Sequence, residues 1–283
     1  MIVKHVGDTV VFVDAELNNL RDNTKARIIS RHTQDTWQPD RGSEEKRKDT
    51  VQGKVAEHYV EYYLRNVLKL CYLSYDDFRE NGFIKHAPFD GVLIKKYDES
   101  LIEKFIKLIV KEVNENESGQ ITANLHEKLI ENNIYTVEIK STRVAKRHKK
   151  SNDINEIIKA IKNDDYLEYP HYCRSSYTIK SVLDYIEYLN SLNRFSKRVN
   201  VENLKEIELP FMKFFYIRVY IDFDDRIVYL IGFTTREKFF VGKPEIKKMI
   251  KRGKSEKAIY FAKKIREVNI PIQNIKYYLE AKV

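Results

Sequence analysis

Pro88-Phe89-Asp90-Gly91-Val92-Leu93-Ile94-Lys95-Lys96 and, after an interruption, Ile134-Tyr135-Thr136-Val137-Glu138-Ile139-Lys140-Ser141-Thr142-Arg143 are the stretches that decide how this chain is read. In the second, Tyr135, Val137 and Ile139 alternate with Thr136, Glu138 and Lys140. A period of two puts the apolar residues on one face of a strand and the charged ones on the other. Glu138 and Lys140 then project side by side, roughly 6–7 Å apart at their Cα atoms. Such a pair lets a carboxylate hold a hard cation while the ammonium beside it meets an anionic oxygen or a water. Taken alone, the tripeptide reads first as a solvated Glu and Lys on the outer face of an antiparallel strand.

Two further features shift that balance. Asp90 stands at a turn that opens the apolar strand Val92-Leu93-Ile94; its ordinary reading is a turn Asp bonding its own backbone. Upstream, in Val51–Leu68, residues Val55, Ala56, Tyr59, Val60, Tyr63, Leu64 and Val67 recur at three- and four-residue spacing and predict an amphipathic helix. Thr50 is its expected N-cap. Glu57 lies beside the apolar stripe, either solvated at its edge or aimed at something cationic.

Glu57, Asp90, Glu138 and Lys140, in this order and these contexts, resemble the PD-(D/E)xK nuclease superfamily, and type II restriction endonucleases in particular. The helix reads Gly53-x-x-Ala56-Glu57-x-x-Val60-x-x-x-Leu64, similar to the helix preceding the metal-binding strands there. The resemblance covers residues from about 50 to 143. It departs from the pattern in Pro88-Phe89-Asp90, where a residue separates Pro from Asp, and in the forty-seven residues between Asp90 and Glu138. It implies an α/β (α+β) fold with a mixed central β-sheet flanked by helices. It also implies that Asp90, Glu138 and the Ile139 carbonyl bind Mg²⁺, with Mn²⁺ as a substitute. Lys140 would position or deprotonate the attacking water, and Glu57 would contact a second metal or its water. Phosphodiester hydrolysis in double-stranded DNA would leave 5′-phosphate ends, and two symmetry-related sites would make the enzyme a homodimer.

The interruption explains itself. Leu101, Ile102, Phe105, Ile106, Ile109, Val110 and Val113 have helical spacing, and Ile121–Asn133 reads as a second helix after Ser118-Gly119. Residues of about 98–133 are therefore a helical insertion in a hairpin, serving as a dimer contact, a wall of the DNA cleft, or a hairpin that only packs on the sheet.

A chain of 283 residues suits one domain, with a core at about 50–240 and a basic region at 241–283. Charged residues are 33% and hydrophobic ones 42%, enough for a real core. No apolar run approaches the ~20 residues that span a bilayer, so no membrane partner is expected. The opening residues lack a signal-peptide layout. Cys71 and Cys173 make no disulfide framework, and the seven His have no zinc spacing. A cytoplasmic protein is the simplest reading.

The net charge of +9 is unevenly spread. Val241–Val283 carries twelve Lys/Arg against four acids, and Ser141–Asn163 seven against two. The second cluster, including Arg143, Lys146, Arg147, Lys149 and Lys150, leaves the candidate strand directly and would hold a polyanion's phosphates. Tyr172, Arg174 and Ser175, in an aromatic-rich loop at 164–177, could reach bases or phosphates. Residues 16–49 read as a DNA-wrapping arm or a loose connection. Met1–Ala15 reads as a hairpin turning at Gly7-Asp8. Helices are expected at Ile154–Asn163 and Ile179–Leu192, strands at Phe211–Phe240 with a turn at Asp224-Asp225, and a basic helical tail from Gly242 on.

Two alternatives share these residues: a repair, recombination or phage nuclease, and a DNA-binding protein with a degenerate nuclease fold. Exonuclease branches of the superfamily usually carry Gln-x-x-x-Tyr on the helix after the Glu-x-Lys strand. Ile154–Asn163 contains no Gln, which counts against an end-dependent enzyme. Intact Asp90, Glu138 and Lys140 count against the degenerate form.

Overall fold

The structure, a computed structural model, describes residues 1–17, 24, 28–29, 43–83, 85, 87–116, 119–170, 209–239, 241, 245–250 and 257–281. In chain order its main elements are β1 (Ile2–Val6), β2 (Thr9–Val13), α1 (Ser43–Tyr62), β3 (Cys71–Ser74), β4 (Gly91–Ile94), α2 (Glu99–Glu115), α3 (Ala123–Glu131) and β5 (Ile134–Arg143). There follow α4 (Ile154–Asp164), β6 (Tyr166–Pro170), β7 (Phe215–Asp222), β8 (Ile227–Thr235), β9 (Glu245–Ile250), β10 (Lys257–Lys264), α5 (Ile265–Val268) and α6 (Ile275–Ala281). The architecture is mixed α/β. A seven-stranded sheet runs β1-β2-β8-β7-β5-β4-β3, with β5 and β7 parallel and the other pairs antiparallel.

Side-chain alternation divides this sheet into two faces, as the period of two requires. Tyr135, Val137 and Ile139 of β5, with Phe215, Ile217, Val219 and Ile221 of β7, share one core with Val55, Ala56, Tyr59, Val60, Tyr63 and Leu64 of α1. Full burial of each large side chain contributes roughly 1.5–3 kcal/mol. On the opposite face, Tyr220, Tyr229 and Ile231 pack on Ile157, Ile158 and Ile161 of α4. Both faces of β7 are therefore covered, and all eight of its residues are buried.

The helical insertion lies where the spacing predicts it. Helices α2 and α3 connect the antiparallel partners β4 and β5. Asp98 and Thr122 cap their first turns by accepting from the N–H groups of Leu101 and Leu125. Ile102, Phe105, Ile109, Val113, Leu125 and Leu129 bury against Val92, Ile94 and Ile134. The hairpin at Gly7-Asp8 is also present, and it joins the sheet through β2 and β8.

Four expectations change. Helix α1 begins at Ser43, so Thr50 is an internal residue and not its cap, and residues 43–49 are helix and not arm. The chain widens into a π-turn at Tyr63–Val67; the apolar stripe loses phase there, and Val67 is exposed. The basic C-terminal region is not a helical tail. Its Glu245–Ile250 and Lys257–Lys264 segments are β9 and β10, and β10 pairs with β6 at Tyr260↔Pro170, ninety residues apart. That same β6 turns Tyr166–Pro170 from loop into strand. The helix expected at Ile179–Leu192 and the loop residues Tyr172, Arg174 and Ser175 lie outside the described residues. Among the described residues no helix is long and apolar enough to cross a membrane.

Candidate active site

Asp90 is placed by its backbone. Its N–H donates to the Val137 carbonyl at 2.9 Å and its carbonyl accepts from the Tyr75 N–H at 3.0 Å. It thus continues the β4–β5 ladder one step beyond Gly91↔Val137, opposite Glu138. The next residue has to be glycine, because a Cβ at Gly91 would stand 2.3 Å from the Tyr72 hydroxyl. The Asp90 side chain does not bond its own turn. Its Oδ2 accepts from the Ile139 N–H at 2.5 Å, forty-nine residues along the chain. A residue in extended backbone points its N–H and C=O to the same side, so the Ile139 carbonyl is directed to this edge too.

Glu138 and Lys140 lie on the strand face away from α1, as alternation requires. The Lys140 ammonium is 2.5 Å from Glu138 Oε1, and their side chains are 28% and 21% exposed. The pair is partly buried, unlike two solvated surface charges.

Burial pushes the Asp90 carboxyl well above the ordinary carboxylate range; the charges of Glu138 and Glu57 push it the same way, against the Ile139 N–H and the Lys54 ammonium. Three acids therefore act on one another here. Glu57, however, is held by Lys54, whose Nζ lies 2.6 Å from Glu57 Oε2 and 2.9 Å from Asp76 Oδ2. Burial works to neutralise Lys54, but Glu57 and Asp76 outweigh it and keep its charge. Arg79 joins the cluster, 3.3 Å from Asp76.

Among the described residues no group of three His, Cys, Asp or Glu stands as a ready metal cage. Asp90 and Glu138 nevertheless form a cross-strand pair of hard oxygen donors. A Mg²⁺ site that keeps several waters uses one or two protein carboxylates, so the donor set fits that ion. Glu57, whose charge also acts on Asp90, is ion-paired to Lys54.

The basic segment after β5 divides. Arg143 donates from Nε to Gln52 Oε1 at 3.1 Å, and its guanidinium lies 5.1 Å from the Phe223 ring. Arg147 reaches Asp165 at 2.5 Å, and Lys149 reaches Asp222 and Asp225 at 2.8 and 2.7 Å. Arg147 and Lys149 thus have carboxylate partners within the fold, while Lys146 and Lys150 are exposed.

Sequence reading passed over Lys54, Asp76 and Arg218. For Lys54 the available signal was its i,i+3 spacing to Glu57. For Arg218 it was an arginine inside the apolar run Phe214–Ile221. Arg218 stands opposite Lys140 in the parallel β5–β7 register, on the same face. It is 9% exposed. One guanidinium nitrogen approaches the Tyr220 hydroxyl at 3.4 Å, and Nε is buried without a partner among the described residues. A register irregularity between Arg218 and Val219 marks a bulge at this position. No protein-family model, no curated protein and no solved structure matches this chain.

Proposed function

We propose that this chain is a metal-dependent endonuclease that cuts double-stranded DNA in the manner of a type II restriction enzyme, on a restriction-endonuclease-like core and as a homodimer. The observation that carries this reading is the Asp90 carboxylate lying across the strand pair from Glu138, fastened to Ile139 N–H, with Lys140 beside it. Like charges directly opposite on a ladder are destabilising. A fold that keeps two of them together has a use for a cation between them.

Asp90, Glu138 and the Ile139 carbonyl would hold Mg²⁺, or Mn²⁺ as its substitute, and the ion would lower the pKa of a bound water and screen the phosphate. Lys140, fixed by Glu138, offsets charge building on the phosphate oxygens in the transition state. The oxygen of the attacking water joins phosphorus, the P–O3′ bond breaks, O3′ departs and takes a proton from a water to become a 3′-hydroxyl, and the phosphate stays on the 5′ end of the downstream fragment. The attacking water's proton leaves to solvent or to a neighbouring base. Lys54 keeps Glu57 in place beside this pair.

A second reading, a DNA-binding protein without catalysis, has one observation in its favour: Lys140 and Lys54 already pair Glu138 and Glu57 inside the protein. Circular plasmid DNA incubated with purified protein and Mg²⁺ separates the readings. Discrete fragments support the restriction-type enzyme, and a smear or digestion only from ends supports a repair, recombination or phage nuclease. Retention of DNA without cutting, in Mg²⁺ and in Mn²⁺, supports the binding protein.

A further inference from the structure

At the far side of the same sheet face, the Gly7-Asp8 turn, α4 and α5 enclose an open cleft of about 420 Å³. That volume is within the ordinary range of ligand sites. Lys159, Lys162 and Arg266 line it, with Asn155, Asn163 and Asp8, the one carboxylate among its described lining residues. Lys162 is ion-paired to Asp8. Lys159 and Arg266 are exposed and have no carboxylate partner among the described residues. The lining therefore carries an excess of positive charge with amide groups between, which suits phosphate oxygens.

The cleft's place in the sheet ties it to the candidate active site. Lys140 pairs with Arg218, and Arg218 with Gly232. Beyond Leu230 the edge of β8 passes from β2 to the Asn269-Ile270 segment, which bridges at Phe233↔Ile270. One cross-strand row thus runs from Lys140 through Arg218 to Gly232, and Asn269, which packs on Gly232, also lines the cleft. Two strand spacings, about 10 Å, separate Lys140 from Gly232. At Gly232 the Asn269 side chain and the Ile270 carbonyl close the row, since a Cβ there would stand 2.4 Å from each. Beside it, Arg218 Nε and Thr234 Oγ1 are buried without partners among the described residues and line a small cavity, and Asn269 lines both that cavity and the cleft.

We propose that the cleft between the Gly7-Asp8 turn, α4 and α5 binds backbone phosphates of the nucleic acid at a distance from the scissile bond. The choice of ligand rests on the nuclease reading; the cationic cleft does not. Binding of a fluorescent DNA duplex, without divalent ions, is measured over a range of salt for the full chain and for Lys159→Gln/Arg266→Gln. Loss of two phosphate contacts reduces the magnitude of the slope of log K against log[salt] by about 1.8. The charge-preserving Lys159→Arg/Arg266→Lys restores it, and Lys69→Gln/Lys276→Gln, on the α1 face, leaves it unchanged. An unaltered slope in Lys159→Gln/Arg266→Gln, or an equal loss in the α1-face variant, overturns the proposal. Plasmid cutting is scored on the same preparation. No cutting with the slope change intact removes the nuclease reading alone, and cutting with an unaltered slope removes the cleft alone. Salt-independent DNA binding by the unmodified protein removes both.

Discussion

The Asp90 carboxylate accepts the Ile139 N–H at 2.5 Å across the point where the β4–β5 ladder ends. This single bond turns a loop acid into a fixed neighbour of Glu138. It gives the site its rigidity and also its electrostatic cost.

That cost has a pH dependence. A carboxyl whose folded pKa is raised contributes its stabilising share at low pH and loses it as pH rises through the folded value. Asp90→Asn keeps an oxygen to accept from Ile139 and removes the charge. It should raise the melting temperature of metal-free protein at pH 8, on the scale of about 0.2–1 kcal/mol for relieving an opposed like-charge pair. The gain should fade toward pH 4, and Mg²⁺ should stabilise the unmodified protein more than the variant. Thermal melts at the two pH values check this.

Asp90→Ala and Glu138→Ala should each lower plasmid cleavage by about 10²–10³-fold or more, while DNA retention in gel shifts stays largely intact. Retained cleavage in either variant would take that residue out of the site.

Arg218 is buried without a carboxylate partner among the described residues, and replacement of such a group by an apolar side chain of similar size is often neutral or stabilising. Arg218→Met should therefore keep or raise the melting temperature yet weaken DNA cleavage. A clear loss of stability with unchanged cleavage would make Arg218 purely structural.

Asp165 has the opposite sign to Asp90. Burial would raise its pKa, but hydrogen bonds from Tyr220 and Arg147 and the charges of His148 and Arg147 hold it below the usual carboxylate range. Its contribution is present above the unfolded value and is lost as pH falls through the folded one. Asp165→Asn should cost about 1.5–3 kcal/mol near neutral pH, the scale of hydrogen bonds to a charged group. The difference should shrink in acid, as read by denaturant titration at pH 7 and pH 3.

Asp8→Asn releases Lys162 inside the cleft. The salt slope of DNA binding should steepen by about 0.9, one added phosphate contact; a shallower slope would contradict the charge assignment.

Local pattern carried much of this molecule. The alternation in Ile134–Arg143 and Phe215–Asp222, the turn at Gly7-Asp8, the helical spacing of Leu101–Val113 and the helix at Ile154–Asn163 were legible because each is set by residues within one or two turns. The same applies to Asp90, Glu138 and Lys140 as candidates, since strand period alone sets Glu138 beside Lys140. The true start of α1 was hidden because Ser43–Asp49 carries charge without an apolar stripe.

What only the tertiary structure decided depends on partners distant in sequence. Lys257–Lys264 is a strand because β6, some ninety residues earlier, supplies its hydrogen-bond partners; its basic, mixed composition alone suits a helix as well. Lys54 bridges Glu57 and Asp76 because α1 packs near the end of β3. Asp90 meets Ile139, and Lys140 meets Arg218, because ladder register brings them together across forty-nine and seventy-eight residues. Sequence periodicity sets which way a side chain faces; only the pairing of strands sets what it faces.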